Sequence, residues 1–208
     1  EPDERAAAIA LVTEGLDATV AAGARWALLD FGPVALPVAR ADISASFARR
    51  ELGPRDTGAW ELARAVGVRK SVAESLVDAC RWSLERLVRL AESRAVTIIL
   101  PTGGSPWEVP SAREALALLD DFRGAPLALA WQPAHLTAAR ALGLRLPEDR
   151  VAALATAAGL AVEGDAVGLA TGYLPGLGER DEALPARPEL PAEAPVVVTG
   201  FADSTDAE

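Results

Sequence analysis

The chain has 208 residues, half of them hydrophobic, and a formal net charge of −10, which suits one globular domain with a hydrophobic core and excludes an intrinsically disordered protein. The acidic balance argues against nucleic acid as a partner, because a phosphate backbone would be repelled, and no apolar run reaches the length of a membrane-spanning helix. The single cysteine, Cys80, excludes an internal disulfide framework and indicates a reducing, cytoplasmic location.

The first predicted elements are a helix and a short strand. Residues 2–24 carry an apolar stripe at helical spacing that ends near Gly23, a natural helix stop. The apolar run 25–32 then predicts a strand near 26–30 that is buried on both faces, as in a parallel sheet. Residues 33–70 contain three prolines, so we expect a long loop there with one or two short helices.

A second long helix is predicted over residues 71–94. Ser71 and Glu74 have capping-box spacing at its start. The apolar stripe of this helix consists of Leu76, Cys80, Leu84, Leu87 and Leu90. The run 95–100 is rich in β-branched residues, which favours a strand directly after the helix.

The second half of the chain repeats the order of helix and strand. Ser111 and Glu114 form another capping box, which predicts a helix over 111–122, and a strand follows over 125–131. The later predicted elements are a short helix at 135–143, a helix at 147–158 with Gly159 after it, a weak strand within 165–172 and a last strand at 196–199.

The alternation of helix and strand predicts a parallel α/β fold, either a barrel or an open sheet. Residues 101–106, PTGGSP, place two adjacent glycines after a strand. They lack the lysine and hydroxyl residue of a phosphate-binding loop, so a plain turn is favoured for this segment.

Four stretches add a longer pattern to this alternation: residues 5–32, residues 83–104 ending in TIILPTGG, residues 115–140 with LALAWQPAH, and residues 165–181 with LPGLGERD. In order and spacing they resemble the xylose isomerase-like TIM barrel superfamily, which includes sugar phosphate isomerases and epimerases and the AP endonuclease type. The resemblance implies a parallel (β/α) barrel in which strands three to eight are recognisable. It implies one barrel-like domain over 1–200 and a polar tail over 201–208.

The resemblance also implies where a site would lie. Members of this superfamily hold a divalent metal at the carboxyl ends of the strands with carboxylates and histidines. In this chain the corresponding positions carry Pro101, Gln132, Gly168, Thr171 and Thr199. His135 remains, and Asp30 replaces a histidine. We therefore predict no metal site and no cofactor, because a divalent metal would need further ligands from a partner chain or from an additional segment.

The residues at these strand ends form the predicted site. Asp30 and His135 are the candidate catalytic groups. The candidate substrate-binding residues are Gln132, Thr102, Thr171 and Trp107. We expect the strand-end residues to converge at one end of the sheet, and His135 to line a pocket without holding a catalytic metal.

Each candidate also has a structural interpretation. His135 can bond to a neighbouring carbonyl, and Asp30 can bond to a loop amide or an arginine. Gln132 and Thr102 can satisfy loop amides in the same way. Trp107, in a proline-flanked loop, suits a subunit contact as well as a ligand wall.

Two functions follow from the resemblance. The first is a sugar or sugar-phosphate isomerase or epimerase. The second is a non-catalytic relative that binds a small polar molecule, such as a sugar, or serves as an assembly partner. The usual activity of the superfamily favours the first function, and the lost ligands favour the second on chemical grounds. Because six strands do not close an eight-stranded barrel, we also expect a homo-oligomer that covers an open sheet edge.

Overall fold

Helices and strands alternate along the chain. The computed structural model describes residues 2–39, 42–43, 57–144, 146–163, 165–167, 170–173, 184, 190 and 196–198. The helices are α1 (Pro2–Ala21), α2 (Thr57–Ser71), α3 (Ala73–Ser93), α4 (Ala112–Asp121), α5 (Pro133–Ala141) and α6 (Glu148–Thr156). The strands are β1 (Trp26–Leu28), β2 (Thr97–Leu100), β3 (Leu127–Trp131), β4 (Ala158–Glu163), β5 (Asp165–Val167), β6 (Ala170–Tyr173) and β7 (Val196–Val198). No helix in these ranges has the length and apolar character needed to cross a bilayer.

The main sheet has the strand order β1-β2-β3-β4-β7, and every neighbouring pair is parallel. Crossovers between parallel strands are almost always right-handed, so strands that follow chain order carry their connecting helices on one face. The sheet is curled like part of a barrel. Among the described residues β1 and β7 are the outer strands, and a closed eight-stranded barrel is not formed by this part of the chain.

Alternate residues of the strands serve two separate cores. Ile98, Leu100 and Leu129 face the helices and pack in the main cluster with Leu84 and Leu118. The other face of the sheet, the inner side of the curl, carries a smaller cluster. Its buried members are Ile99, Ala130 and Leu160. This division follows from the two-residue repeat of a β-strand and explains why the strands read as continuous apolar runs.

Several local predictions are confirmed. Strands form at 26–28, 97–100, 127–131 and 196–198, and they are parallel. Ser111 and Glu114 form the predicted capping box at the start of α4. The apolar stripe of α3 is buried at Cys80, Leu84 and Leu87, with Leu76 and Leu90 packed against the same core. The capping box predicted for Ser71 is wrong, because Ser71 ends α2 and its hydroxyl donates to the Val68 carbonyl at 2.8 Å.

The predicted parallel strand near 167–170 is also wrong. β5 and β6 instead pair with each other in antiparallel orientation, with Ala166 opposite Thr171. The fourth strand of the sheet is instead β4, which begins at residue 158, where the predicted helix ends. Gly159 belongs to this strand, where a Cβ atom would stand 2.7 Å from the Ala128 Cβ on β3. The glycine permits close packing of two strands and does not stop a helix.

Candidate functional site

Thr102, Gln132 and His135 meet at the carboxyl ends of β2 and β3. The Thr102 backbone N–H donates to Oε1 of Gln132 at 2.9 Å. Nδ1 of His135 lies 2.8 Å from the Thr102 carbonyl oxygen. Thr102 is 1% exposed and Gln132 is 7% exposed. The strand ends therefore bring three of the predicted site residues together, as expected for a parallel sheet.

The contact to Thr102 determines the protonation of the His135 ring. A carbonyl oxygen only accepts hydrogen bonds, so Nδ1 of His135 carries a hydrogen and donates it. In the neutral imidazole the lone pair then lies on Nε2. Gln132 and His135 together bind both backbone polar groups of Thr102, which ties the loop after β2 to the start of α5.

Asp30 lies at the same edge of the sheet but on a different strand end. It follows β1, is exposed, and its Oδ1 accepts the Gly32 backbone N–H at 2.8 Å. β2 separates β1 from β3, and parallel strands are spaced by about 4.8 Å, so β1 and β3 are about 10 Å apart. The Asp30 carboxylate stabilises a turn at this edge.

Thr171 does not lie at the end of a parallel strand, which corrects its predicted position. It belongs to the antiparallel pair of β5 and β6, which contacts α5. Gly168 and Thr199, where the resemblance implies metal ligands, lie outside the described residues, as does the tail 201–208.

The two tryptophans near the predicted site pack in cores. Trp131 is 1% exposed within the main cluster, as expected for a residue that ends a buried strand. Trp107 is half-buried against a second cluster that includes Ile43, Ala65 and Leu142. Its carbonyl accepts the Val34 N–H at 2.7 Å. Trp107 thus joins the loop after β2 to residues of the neighbouring segments.

The PTGGSP segment is held in place by hydrogen bonds to a side chain and by close contact with α5. One carboxylate oxygen of Glu108 accepts the N–H groups of Gly104 at 2.6 Å and of Ser105 at 3.0 Å. A Cβ atom on Gly104 would lie 2.5 Å from the His135 carbonyl oxygen. The second glycine is therefore required by the close approach of the loop to the first turn of α5.

A cavity of about 410 Å³ lies beside this loop, and the sequence patterns did not indicate it. It is bounded by the end of α2, residues 103–106, the first turn of α4 and one side of α5. Its charged lining residues are Arg69, Lys70, Arg113 and Glu114. We refer to this space as the Arg69 cavity.

Two residues that line the Arg69 cavity each have one buried polar group that lacks a hydrogen-bond partner among the described residues. The groups are Nη1 of Arg69 and the hydroxyl of Ser105. Arg69 is 8% exposed, and its Nη2 pairs with Oε2 of Glu114, which also accepts the Ser111 N–H at 2.8 Å. A buried donor without a partner costs about 1–3 kcal/mol, and more when it is charged, so these groups are candidates for ligand contact.

The side chains at the strand ends do not fit the metal site that the resemblance implies. Among the described residues, no three His, Cys, Asp or Glu side chains lie close enough together to hold a metal ion. Gln132 is occupied by the Thr102 N–H, and Nδ1 of His135 donates to a carbonyl. A divalent ion needs more anionic or imidazole ligands than this edge supplies.

The Cys80 thiol is free and buried in the folded chain. Burial, followed by the nearby Glu114 carboxylate, raises the pKa of the Cys80 thiol to about 11, while Arg69 acts in the opposite direction. The thiol is therefore protonated at neutral pH, and only a thiolate is strongly nucleophilic.

Neither a protein-family model nor a curated protein matches this chain. The geometry and chemistry of the strand ends and of the Arg69 cavity are therefore the basis for assigning a function.

Proposed function

We propose that this chain is a non-catalytic relative of the xylose isomerase-like barrels and binds a small polar molecule, such as a sugar derivative, in the Arg69 cavity. The observation that carries this proposal is a cavity of about 410 Å³ lined in part by Arg69 and Ser105, two residues that each have a buried polar group, Nη1 and the hydroxyl, without a described partner. Cavities of this size with a few convergent polar groups in an apolar wall are typical of small-molecule sites.

The strand-end residues support binding over catalysis. Gln132 and His135 hold the two backbone polar groups of Thr102, and Asp30 holds the amide of Gly32. General acid–base chemistry needs a group within hydrogen-bond reach of a substrate proton, and these contacts are instead made to the backbone. Gln132 and His135 thereby position the loop that borders the Arg69 cavity.

An isomerase or epimerase is the second candidate, and one observation favours it. The bond from Nδ1 of His135 to the Thr102 carbonyl leaves the lone pair of the neutral ring on Nε2, which is the arrangement of many catalytic bases. In this reading, Asp30 and His135 act on the substrate, and Gln132, Thr102, Thr171 and Trp107 bind it.

The two functions are separated by measuring binding and turnover on the same preparation. Calorimetry with neutral sugars and with sugar phosphates tests binding, and NMR of the same mixtures over hours tests isomerisation. We expect at least one ligand to bind without being converted. Conversion that is lost in a His135→Ala variant with unchanged circular dichroism would support the enzyme and overturn the non-catalytic proposal.

A cavity-filling variant locates the binding. Ala139 lines the Arg69 cavity on α5, so Ala139→Trp should block the ligand. The matched control is Ala117→Trp, because Ala117 is exposed on α4 and does not line the cavity. Binding that survives Ala139→Trp would place the ligand elsewhere and overturn this assignment of the site.

A further inference from the structure

We infer that the Arg69 cavity recognises an oxyanion of its ligand, a phosphate or a carboxylate group, and that Arg69 and Ser105 are the residues that contact it. This inference rests on the proposed function, because it specifies the chemistry of the ligand at the same site.

The charge of the lining supports an anion. The chain as a whole carries a net charge of −10, yet the described residues that border the cavity include Arg69, Lys70 and Arg113 against one carboxylate, Glu114. Glu114 is already bound by Nη2 of Arg69 and by the Ser111 N–H. Lys70 and Arg113 form no ion pair within the described chain. The lining is therefore positive in an otherwise acidic protein, and it disfavours a cation.

The geometry of Arg69 supports a direct contact. A guanidinium group has five N–H donors in a planar fork, and it binds carboxylates and phosphates through two adjacent nitrogens. Glu114 engages Nη2, whereas the buried Nη1 has no described partner. A neutral hydroxyl could accept one hydrogen bond from Nη1, but an oxyanion would also be attracted by Lys70 and Arg113 in the same lining.

Ser105 supplies a second donor at the same cavity. Its backbone N–H donates to Glu108 at 3.0 Å, which holds the residue in the loop, while its buried hydroxyl has no described partner. A hydroxyl donates one hydrogen bond and suits either class of oxyanion. Trp131 Nε1 is buried without a described partner as well, but Trp131 does not line the cavity.

The test is calorimetry on the full chain with four probes: inorganic phosphate, acetate, glucose 6-phosphate and glucose. We expect an oxyanion probe to bind the wild type and to bind about tenfold more weakly to Arg69→Met, because a charge-assisted hydrogen bond is lost. Binding to Ser105→Ala should fall about threefold or more. The matched control is Arg123→Met, because Arg123 is exposed and pairs with Asp120.

The probes and variants separate the two ideas. Phosphate without acetate identifies the phosphate group, and the reverse identifies a carboxylate. If glucose binds in a manner blocked by Ala139→Trp while no oxyanion binds, the anion inference is wrong and the proposed function stands. If no probe binds, both are wrong. If Arg69→Met fails to fold, Ser105→Ala and Lys70→Ala decide the matter, and unchanged phosphate affinity in both would overturn the inference.

Discussion

Gln132 and His135 bind the two backbone polar groups of one buried residue, the N–H and the carbonyl of Thr102. Gln132 follows β3 and Thr102 follows β2, so this relationship links the ends of two neighbouring strands across 30 residues of sequence. The loop that forms the border of the Arg69 cavity begins at this junction. The stability of this junction therefore affects the shape of the Arg69 cavity.

Gln132→Ala should destabilise the fold by about 1–3 kcal/mol, because the Thr102 N–H, in a residue that is 1% exposed, would lose its partner. The measurement is the free energy of unfolding in urea. Ser93→Ala is the control: its exposed hydroxyl bonds the Leu90 carbonyl at 2.8 Å, and its loss should change stability by less than about 0.5 kcal/mol. Equal stability of the two variants would contradict the role of Gln132.

His135→Ala should leave the fold intact and lower the free energy of unfolding by about 1 kcal/mol, since it removes one hydrogen bond to the Thr102 carbonyl. Metal content, measured by mass spectrometry of the purified chain, should not change. Stoichiometric zinc, manganese or magnesium that disappears with this substitution would show that His135 is a metal ligand.

Gly104→Ala should destabilise the chain by about 1–3 kcal/mol, because the added Cβ would lie 2.5 Å from the His135 carbonyl oxygen and the backbone would have to shift. Gly15→Ala is the opposite case. Gly15 lies inside α1 with nothing within 4 Å of an added Cβ, so alanine should stabilise the helix by about 0.5–1 kcal/mol. Thermal unfolding of both variants tests the contrast, and a shift of the same sign in both would refute it.

The stability of the wild type should fall as the pH rises from about 9 to 11. The pKa of the buried Cys80 thiol is raised from 9.0 to about 11, so over this range the unfolded chain loses a proton that the folded chain keeps. Fewer protons bound to the unfolded state means that stability decreases with pH. Urea unfolding at pH 8 and pH 10 measures the decrease, which should be smaller in Cys80→Ala. An equal decrease in both proteins would assign it to other groups.

The expected homo-oligomer stays a prediction, and the open edge at β1 makes it specific. Leu28 is 56% exposed on β1, an outer strand among the described residues. If a second copy covers this edge, Leu28→Lys should lower the mass measured by light scattering to that of a monomer. Leu11→Lys is the control, because Leu11 is 70% exposed on the helix α1 and is not part of the edge strand. A monomeric wild type would show that the prediction is wrong.

Local patterns were sufficient for the elements whose partners lie nearby in sequence. The capping box of Ser111 and Glu114 spans one helical turn, and the apolar runs at 97–100 and 127–131 are buried on both faces. They form as predicted because short-range hydrogen bonding and continuous hydrophobicity dictate them. The resemblance placed Gln132 and His135 at strand ends, and each makes the backbone contact that was its structural alternative.

What the sequence by itself determined is thus the parallel α/β class and the edge at which Thr102, Gln132 and His135 meet. Only the tertiary structure decided that Gly159 lies in a strand, where any larger residue would collide with the Ala128 side chain on β3. It alone brought together Arg69 and Glu114, which are 45 positions apart, and set them beside Ser105. A cavity depends on how α2, α4 and α5 pack around one loop, and no local spacing encodes that packing, because each wall is stabilised by contacts between distant segments.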